Sequence, residues 1–173
     1  MNLIVTCARH LENETEEELK NILNEFGDSE AEITITKMSG ILTCQTSLDP
    51  IETVRKLRET ILDEPWSIRY CLRIIPIQET VKTELSEIET KITELSDRVF
   101  PDETYRISIE KRNSDISGQE IISKIAKKFQ NKVSLEFPDK IVLIEILENI
   151  TGISILKNSD VLSLEKTKRS MSE

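Results

Sequence analysis

Apolar residues along this chain fall into short runs, alternations and stripes stepping by three and four, and each kind predicts an element. Leu3 to Cys7 is an apolar run of strand length. Leu19, Ile22, Leu23 and Phe26 then mark one face of a helix. Thr15 with Glu18 reads as its capping box and Gly27 as its stop. Ile33 and Ile35 alternate with polar residues between Ala31 and Thr36, which predicts a half-buried strand. Ser39 and Gly40 turn the chain, and Ile41 to Thr46 is the return strand. Asp49 and Pro50 predict a second helix, with Asp49 as cap, Pro50 in the first position and Glu52 closing the box. Ile51, Val54, Leu57, Ile61 and Leu62 line one face, Pro65 ends it, and Ile68 to Ile77 is the last strand of this half.

The order strand, helix, strand, strand, helix, strand is the ferredoxin-like split β-α-β pattern, complete by about residue 78. A second unit follows. Val81, Leu85, Ile88, Ile92, Leu95 and Val99 predict one amphipathic helix. Tyr105 to Ile109 is a strand, ending in Glu110 to Asp115. Ser117 to Glu120 is a capping box for a helix that buries Ile121, Ile122, Ile125, Ala126 and Phe129. Val133 to Leu135 reads as a short strand. Ile141 to Leu147 is the most apolar strand and is expected at the sheet centre, with Gly152 to Leu156 beside it. The fold class is therefore α+β: a ferredoxin-like βαββαβ domain over 1–78, an α/β domain with a mixed sheet over 79–165, and a frayed polar tail over 166–173. The passage near residues 78–83 holds no long linker, so close packing of the two domains is expected.

Charge changes the picture. The chain has 173 residues, 32% of them charged, and a net charge of −9. That acidity argues against a nucleic-acid binder if averaged over the chain. It is uneven, however. Residues 1–103 carry 11 Lys and Arg against 22 Asp and Glu, whereas residues 104–173 carry 12 against 10. No run approaches the ~20 apolar residues of a membrane helix. The N-terminus lacks the basic leader of a signal peptide, so a cytoplasmic protein without membrane contact is expected.

Chemistry-bearing motifs are sparse. Cys7, Cys44 and Cys71 are widely spaced in apolar runs and read as buried free thiols. A metal site built from them and His10 would lack any short ligand spacing, so none is expected. Cys7 beside His10 is a conceivable nucleophile and base. The four glycines never cluster, so there is no phosphate-cradling loop and no cofactor is expected. The remaining constellation is basic. Lys111, Arg112, Asn113 and Ser114 precede the helix start at Ser117, and helix N-termini attract phosphate. Lys124, Lys127 and Lys128 follow on that helix, Lys132 and Lys140 on the next loops, and Lys166, Lys168 and Arg169 near the end. Such a group suits a phosphate backbone; ordinary solubilising charge is the alternative.

The segment from Tyr105 to Ala126, which contains Lys111, Arg112, Asn113, Ser114 and Asp115, resembles a THUMP domain. So does the segment from Val133 to Ile146, which contains Pro138, Asp139 and Lys140. The opening from Asn2 to His10, followed by a glutamate-rich helix start, resembles the ferredoxin-like domain that precedes THUMP. Nearly the whole chain resembles the stand-alone THUMP proteins of archaea and eukaryotes, whose eukaryotic members are tRNA-binding adaptors for cytidine N4-acetylation. The resemblance implies binding of the tRNA acceptor stem and 3′ end and no catalysis by the THUMP domain. Relatives carry a following methyltransferase, deaminase or thiouridine-synthesis domain. The chain ends at Glu173, so its chemistry is expected from a partner, an RNA acetyltransferase or another tRNA-modifying enzyme. The expected RNA-binding residues are Lys111, Arg112, Asn113, Ser114, Lys124, Lys127, Lys128, Lys140, Lys166, Lys168 and Arg169. Alternatives are a protein-interaction module using the acidic first domain, a tRNA-binding subunit for thiolation or methylation, and a small enzyme using Cys7 and His10.

Overall fold

The computed structural model describes residues 1–172 and divides into two units, Met1–Ile77 with the segment from Asp160 onward, and Gln78–Ser159. In the first unit, β1 (Leu3–Thr6) leads to α1 (Glu12–Glu25), β2 (Glu32–Ile35), β3 (Ile41–Gln45), α2 (Pro50–Asp63) and β4 (Arg73–Pro76). The strands form an antiparallel sheet in the order β2-β3-β1-β4. Strand alternation turns Leu3 and Val5 of β1 toward the helices. There they pack with Leu42 and Cys44 of β3 and with Leu19, Leu23, Val54, Leu57 and Ile61 of α1 and α2. Burying each such aliphatic side chain contributes about 1.5–3 kcal/mol.

Local signals set the helix ends in two cases. Asp49 Oδ1 accepts the Glu52 amide at 2.9 Å, and Pro50 occupies the first helical position. Gly27, at φ +109°, closes α1: its amide donates to Asn24 and that of Asp28 to Leu23. Other signals are overridden. Thr15 and Glu18 do not form a capping box, because α1 already begins at Glu12. Thr15 is buried and its hydroxyl donates to the Leu11 carbonyl at 2.6 Å. The Glu18 carboxylate accepts the amides of Arg69, Tyr70 and Cys71 at 2.8, 3.0 and 2.9 Å. Those three amides are therefore withdrawn from any ladder, and the strand expected from Ile68 starts only at Arg73.

The first unit also recruits the end of the chain. β9 (Leu162–Ser163) pairs antiparallel with β4, and α5 (Leu164–Ser170) follows. Leu162 and Leu164 join the core of this unit. The frayed polar tail expected from residue 166 is thus corrected. Ser163 caps α5 at the Lys166 amide, and Thr167 is buried.

In the second unit, β5 (Glu79–Lys82), α3 (Leu85–Leu95), β6 (Tyr105–Arg112), α4 (Gly118–Ala126), β7 (Lys140–Leu147) and β8 (Ile150–Leu156) form a mixed sheet in the order β5-β8-β7-β6. Only β6 and β7 run parallel, joined by α4. The helix expected from Val81 begins at Leu85, because Thr80 and Val81 pair with Gly152 and Thr151 in the sheet. β7 is buried along nearly its whole length. Val142, Ile144 and Ile146 pack with Ile88, Ile92, Ile121, Ile125 and Phe129. The buried stripe of α4 is therefore narrower than expected, since Ile122 and Ala126 are exposed. No strand forms at Val133–Leu135: Val133 makes one isolated bridge to Tyr105.

Candidate nucleic-acid interface

Successive strand residues face opposite sides of a sheet, and this separates the two cations that end β6. Lys111 registers with Ile146, which lies on the helix-covered side. Its ammonium donates to the Ile116 carbonyl at 2.9 Å and braces the loop into α4. Arg112 faces the opposite side, where its guanidinium meets the Glu145 carboxylate at 3.0 Å. Glu145 is 1% exposed, so Arg112 partners a buried charge instead of offering a free one. Asn113 adopts φ +53°, and Ser114 accepts the Ile116 amide at 3.3 Å. Both shape the turn. Ser117 caps α4 by accepting the Glu120 amide at 3.2 Å. Exposed Glu110, Asp115, Glu120 and Glu148 belong to the same end of the sheet. Their charge offsets the attraction of the helix N-terminus for anions.

Four of the other expected residues, Lys124, Lys127, Lys128 and Lys140, lie toward the far end of this unit. Lys140 registers with Tyr105, six residues before Lys111, which is about 20 Å along the strand. α4 runs back from the Lys111 end, so Lys124, Lys127 and Lys128 approach the Lys140 end. The structure therefore splits the basic group of this unit in two, and the remaining three cations lie in the first unit. Lys140 itself is fully engaged. Its ammonium contacts Glu103 at 3.0 Å and the Arg98 carbonyl at 2.9 Å, and lies 4.5 Å from the Phe100 ring centroid. Glu103 is held below the usual carboxylate range by the Phe100 amide first and by Lys140 next. Lys128 pairs with Glu89 at 3.2 Å. Lys166, Lys168 and Arg169 belong to α5 of the first unit. Lys168 donates to the Ile68 carbonyl and Arg169 pairs with Glu165.

Lys124, Lys127 and Lys132 are exposed, and among the described residues none of them is in an ion pair. The loop beyond α4 that carries Lys132 also presents Val133, Leu135 and Phe137, which are 59%, 74% and 84% exposed. Its backbone is anchored. Asn131 donates to the Phe100 and Glu103 carbonyls, the Tyr105 amide donates to Lys132, and the Arg106 guanidinium donates to the Leu135 carbonyl at 2.9 Å. The result is a fixed loop with protruding apolar and aromatic side chains beside three free ammonium groups. Lysines grip phosphates, and an exposed ring offers a face on which a base can stack. The sequence reading missed Phe137 and Arg106. Reading Val133–Leu135 as a strand concealed the exposed ring, although Pro138 directly after it is a loop signal.

The thiols offer no activated nucleophile. Burial pushes Cys44 up to about 12 and raises Cys7 and Cys71. Among the described residues no group of three or more His, Cys, Asp or Glu could hold a metal ion. None of their helices is long and apolar enough to cross a membrane.

Residues 82–156 match the family model of the THUMP domain, so the second unit carries a THUMP domain. An uncharacterized protein of Methanocaldococcus jannaschii, MJ0421, is 24% identical over 178 residues, covering all of this chain and 46% of that protein. The crystal structure of PH1313 from Pyrococcus horikoshii matches with a TM-score of 0.63 at 17% identity, over 91% of this chain and 55% of that one. A 4-thiouridine synthetase, solved as an RNA complex with bound ATP, matches with a TM-score of 0.51 at 12% identity, over 91% and 42%. The structural likenesses concern the fold. The chain spans about half the length of the relatives it matches.

Proposed function

We propose that this chain is a cytoplasmic tRNA-binding adaptor that presents the acceptor stem and 3′ end of tRNA to a modifying enzyme, an RNA cytidine N4-acetyltransferase. The THUMP match over residues 82–156 carries this reading, because THUMP is an RNA-binding domain. The surface that fits RNA is the Lys124, Lys127 and Lys132 cluster with Phe137. The ammonium groups neutralise phosphates of the stem, and Phe137 stacks a base of the single-stranded end. The chain contributes binding and positioning, and the modifying centre is supplied from outside these residues. The likeness to a 4-thiouridine synthetase supports a second reading, in which the modification is thiolation.

Anisotropy with labelled tRNA tests the binding reading. Each neutralised phosphate contributes close to one unit to the slope of log affinity against log salt. Lys124→Glu with Lys127→Glu and Lys132→Glu should flatten that slope by about two to three units. Phe137→Ala should weaken tRNA with an intact 3′ end by about 1–3 kcal/mol, and a blunt stem hardly at all. Unchanged affinity in both variants would remove this surface from the reading. Nucleoside profiles from a deletion strain separate the enzymes: loss of N4-acetylcytidine supports acetylation, and loss of 4-thiouridine supports thiolation.

A further inference from the structure

A groove of about 470 Å³ runs between α1, α2 and the segment that follows α2 in the first unit. Its floor is apolar, from Ile22, Phe26, Leu57 and Ile68. Its rim is acidic, from Glu14, Glu17, Glu25 and Glu64. Among the described residues none of these four carboxylates is in an ion pair. Glu18 also lines the groove, but its oxygens are taken by the three amides of residues 69–71. Three of the rim groups form a row along α1, from position 14 to position 25, about 16 Å long. That length exceeds a single small ligand and equals three turns of a facing helix.

Two further observations point to an occupant. Ser67 lines the groove, and its hydroxyl is buried without a hydrogen-bond partner, an unmet acceptor that a rotation of its side chain would present to an incoming N–H. The face of Phe26 already attracts a cation, with the Lys56 ammonium 5.7 Å from its ring centroid. An apolar floor, an unpaired carboxylate row and a waiting acceptor suit one chemistry. RNA is repelled by this rim, whereas a chain segment with Lys or Arg every three or four residues matches the row. Its apolar side chains would fill the floor.

We propose that the α1–α2 groove docks a basic amphipathic helix of a partner protein, with arginine or lysine side chains along the Glu14–Glu17–Glu25 row and apolar side chains over Ile22, Phe26 and Leu57. Trp66 is the only tryptophan, is 71% exposed and adjoins the lining residue Ser67 in sequence, which makes its emission a nearby probe.

The test uses the whole chain and a 14-residue acetylated helical peptide. The peptide carries arginines spaced three and four apart with leucines on the adjacent face. A control keeps the arginines and replaces each leucine by serine. Binding is read from Trp66 emission and from anisotropy of the labelled peptide at physiological salt. The leucine peptide should bind at least tenfold more tightly than the control. Glu17→Lys with Glu25→Lys should weaken it at least tenfold. Glu30→Lys with Glu32→Lys, exposed and outside the groove lining, should change it less than twofold. Equal losses in the two double variants would reduce the effect to general charge and overturn the proposal. So would equal binding of both peptides, or displacement of the peptide by tRNA. Peptide binding that survives Lys124→Glu with Lys127→Glu separates this groove from the RNA surface.

Discussion

The exchange Arg112→Met separates a structural role for this cation from a role in RNA contact. In the fold its guanidinium lies 3.0 Å from a carboxylate that is 1% exposed. Removing one member of a fully buried pair costs about 3–5 kcal/mol, because the remaining charge stays desolvated. The Arg112 side chain is 24% exposed, so water reaches the vacated place and the loss falls to about 2–3 kcal/mol. Methionine keeps most of the aliphatic stem, so little packing is lost. With a urea dependence of about 2 kcal/mol per molar, the unfolding midpoint should fall by about 1–1.5 M. Circular dichroism in urea measures it, and Arg112→Lys should lose less than Arg112→Met. At temperatures where the variant is folded, its tRNA affinity should stay within twofold of the parent, whereas Lys124→Glu with Lys127→Glu should weaken binding. A midpoint shift below about 0.3 M with a large loss of tRNA affinity would refute the reasoning and return Arg112 to the RNA surface.

Three carboxylates should set the acid limit. Asp28 is held low by the Thr46 hydroxyl first and the Ser47 amide next, Glu12 by the Gly40 amide, and Glu103 by the Phe100 amide and Lys140. A depressed native pKa contributes stability above the unfolded value, so thermal midpoints should hold above about pH 5 and fall through pH 4 and below. Asp28→Asn should be less stable at neutral pH and show a shallower fall. The buried thiols should resist a disulfide reagent at pH 8 in native protein and react fully in denaturant, because Cys44 sits at about 12 and Cys71 is raised well above the usual thiol value. Rapid reaction of two or more thiols in native protein would contradict their burial. Gly40→Ala should destabilise by about 2 kcal/mol or more, because φ is +76° and an added Cβ would stand 2.6 Å from the Cys7 carbonyl oxygen. Gly118→Ala meets nothing within 4 Å and should be neutral or stabilising by up to about 1 kcal/mol. Chemical denaturation of the two variants measures the contrast.

What the sequence made legible was local. Asp49 caps α2 and Gly27 stops α1 because cap chemistry acts within a few residues. The 3.6-residue stripes found α1, α2, α3 and α4, and the apolar run of β7 found the centre of the second sheet. Errors arose where a distant partner outbid a local one. Glu18 looked like a cap, but three amides 51 to 53 residues away take its carboxylate. Val81 fitted a helical stripe, but β8 pairs with it. The polar composition after residue 165 predicted a frayed tail, yet Leu162 pairs with β4 and Leu164 joins the core. For the site, the parity of Lys111 and Arg112 was readable, since neighbours in a strand face opposite ways. The engagement of Lys140 by Glu103 and Phe100 was not, because neither is near it in sequence.

The charge asymmetry changes meaning when it is divided by fold unit instead of by sequence position. The first unit holds 11 Lys and Arg against 17 Asp and Glu, and the second holds 12 against 15. The THUMP-bearing unit is therefore acidic as a whole, because α3 and its flanks carry glutamates that the split at residue 103 assigned elsewhere. A phosphate backbone cannot be held there by net field. It has to be held where ammonium groups are free of carboxylates, and Lys124, Lys127 and Lys132 meet that condition while Arg112, Lys128 and Lys140 do not. On the proposed function, affinity would rest on a few phosphate contacts and on stacking, which depends on the shape of a single-stranded end. A binder built this way would discriminate against long duplex, since duplex offers phosphates without an unstacked base. The same acidity that weakens non-specific grip on nucleic acid leaves the α1–α2 rim unpaired, so the charge that limits one surface equips the other.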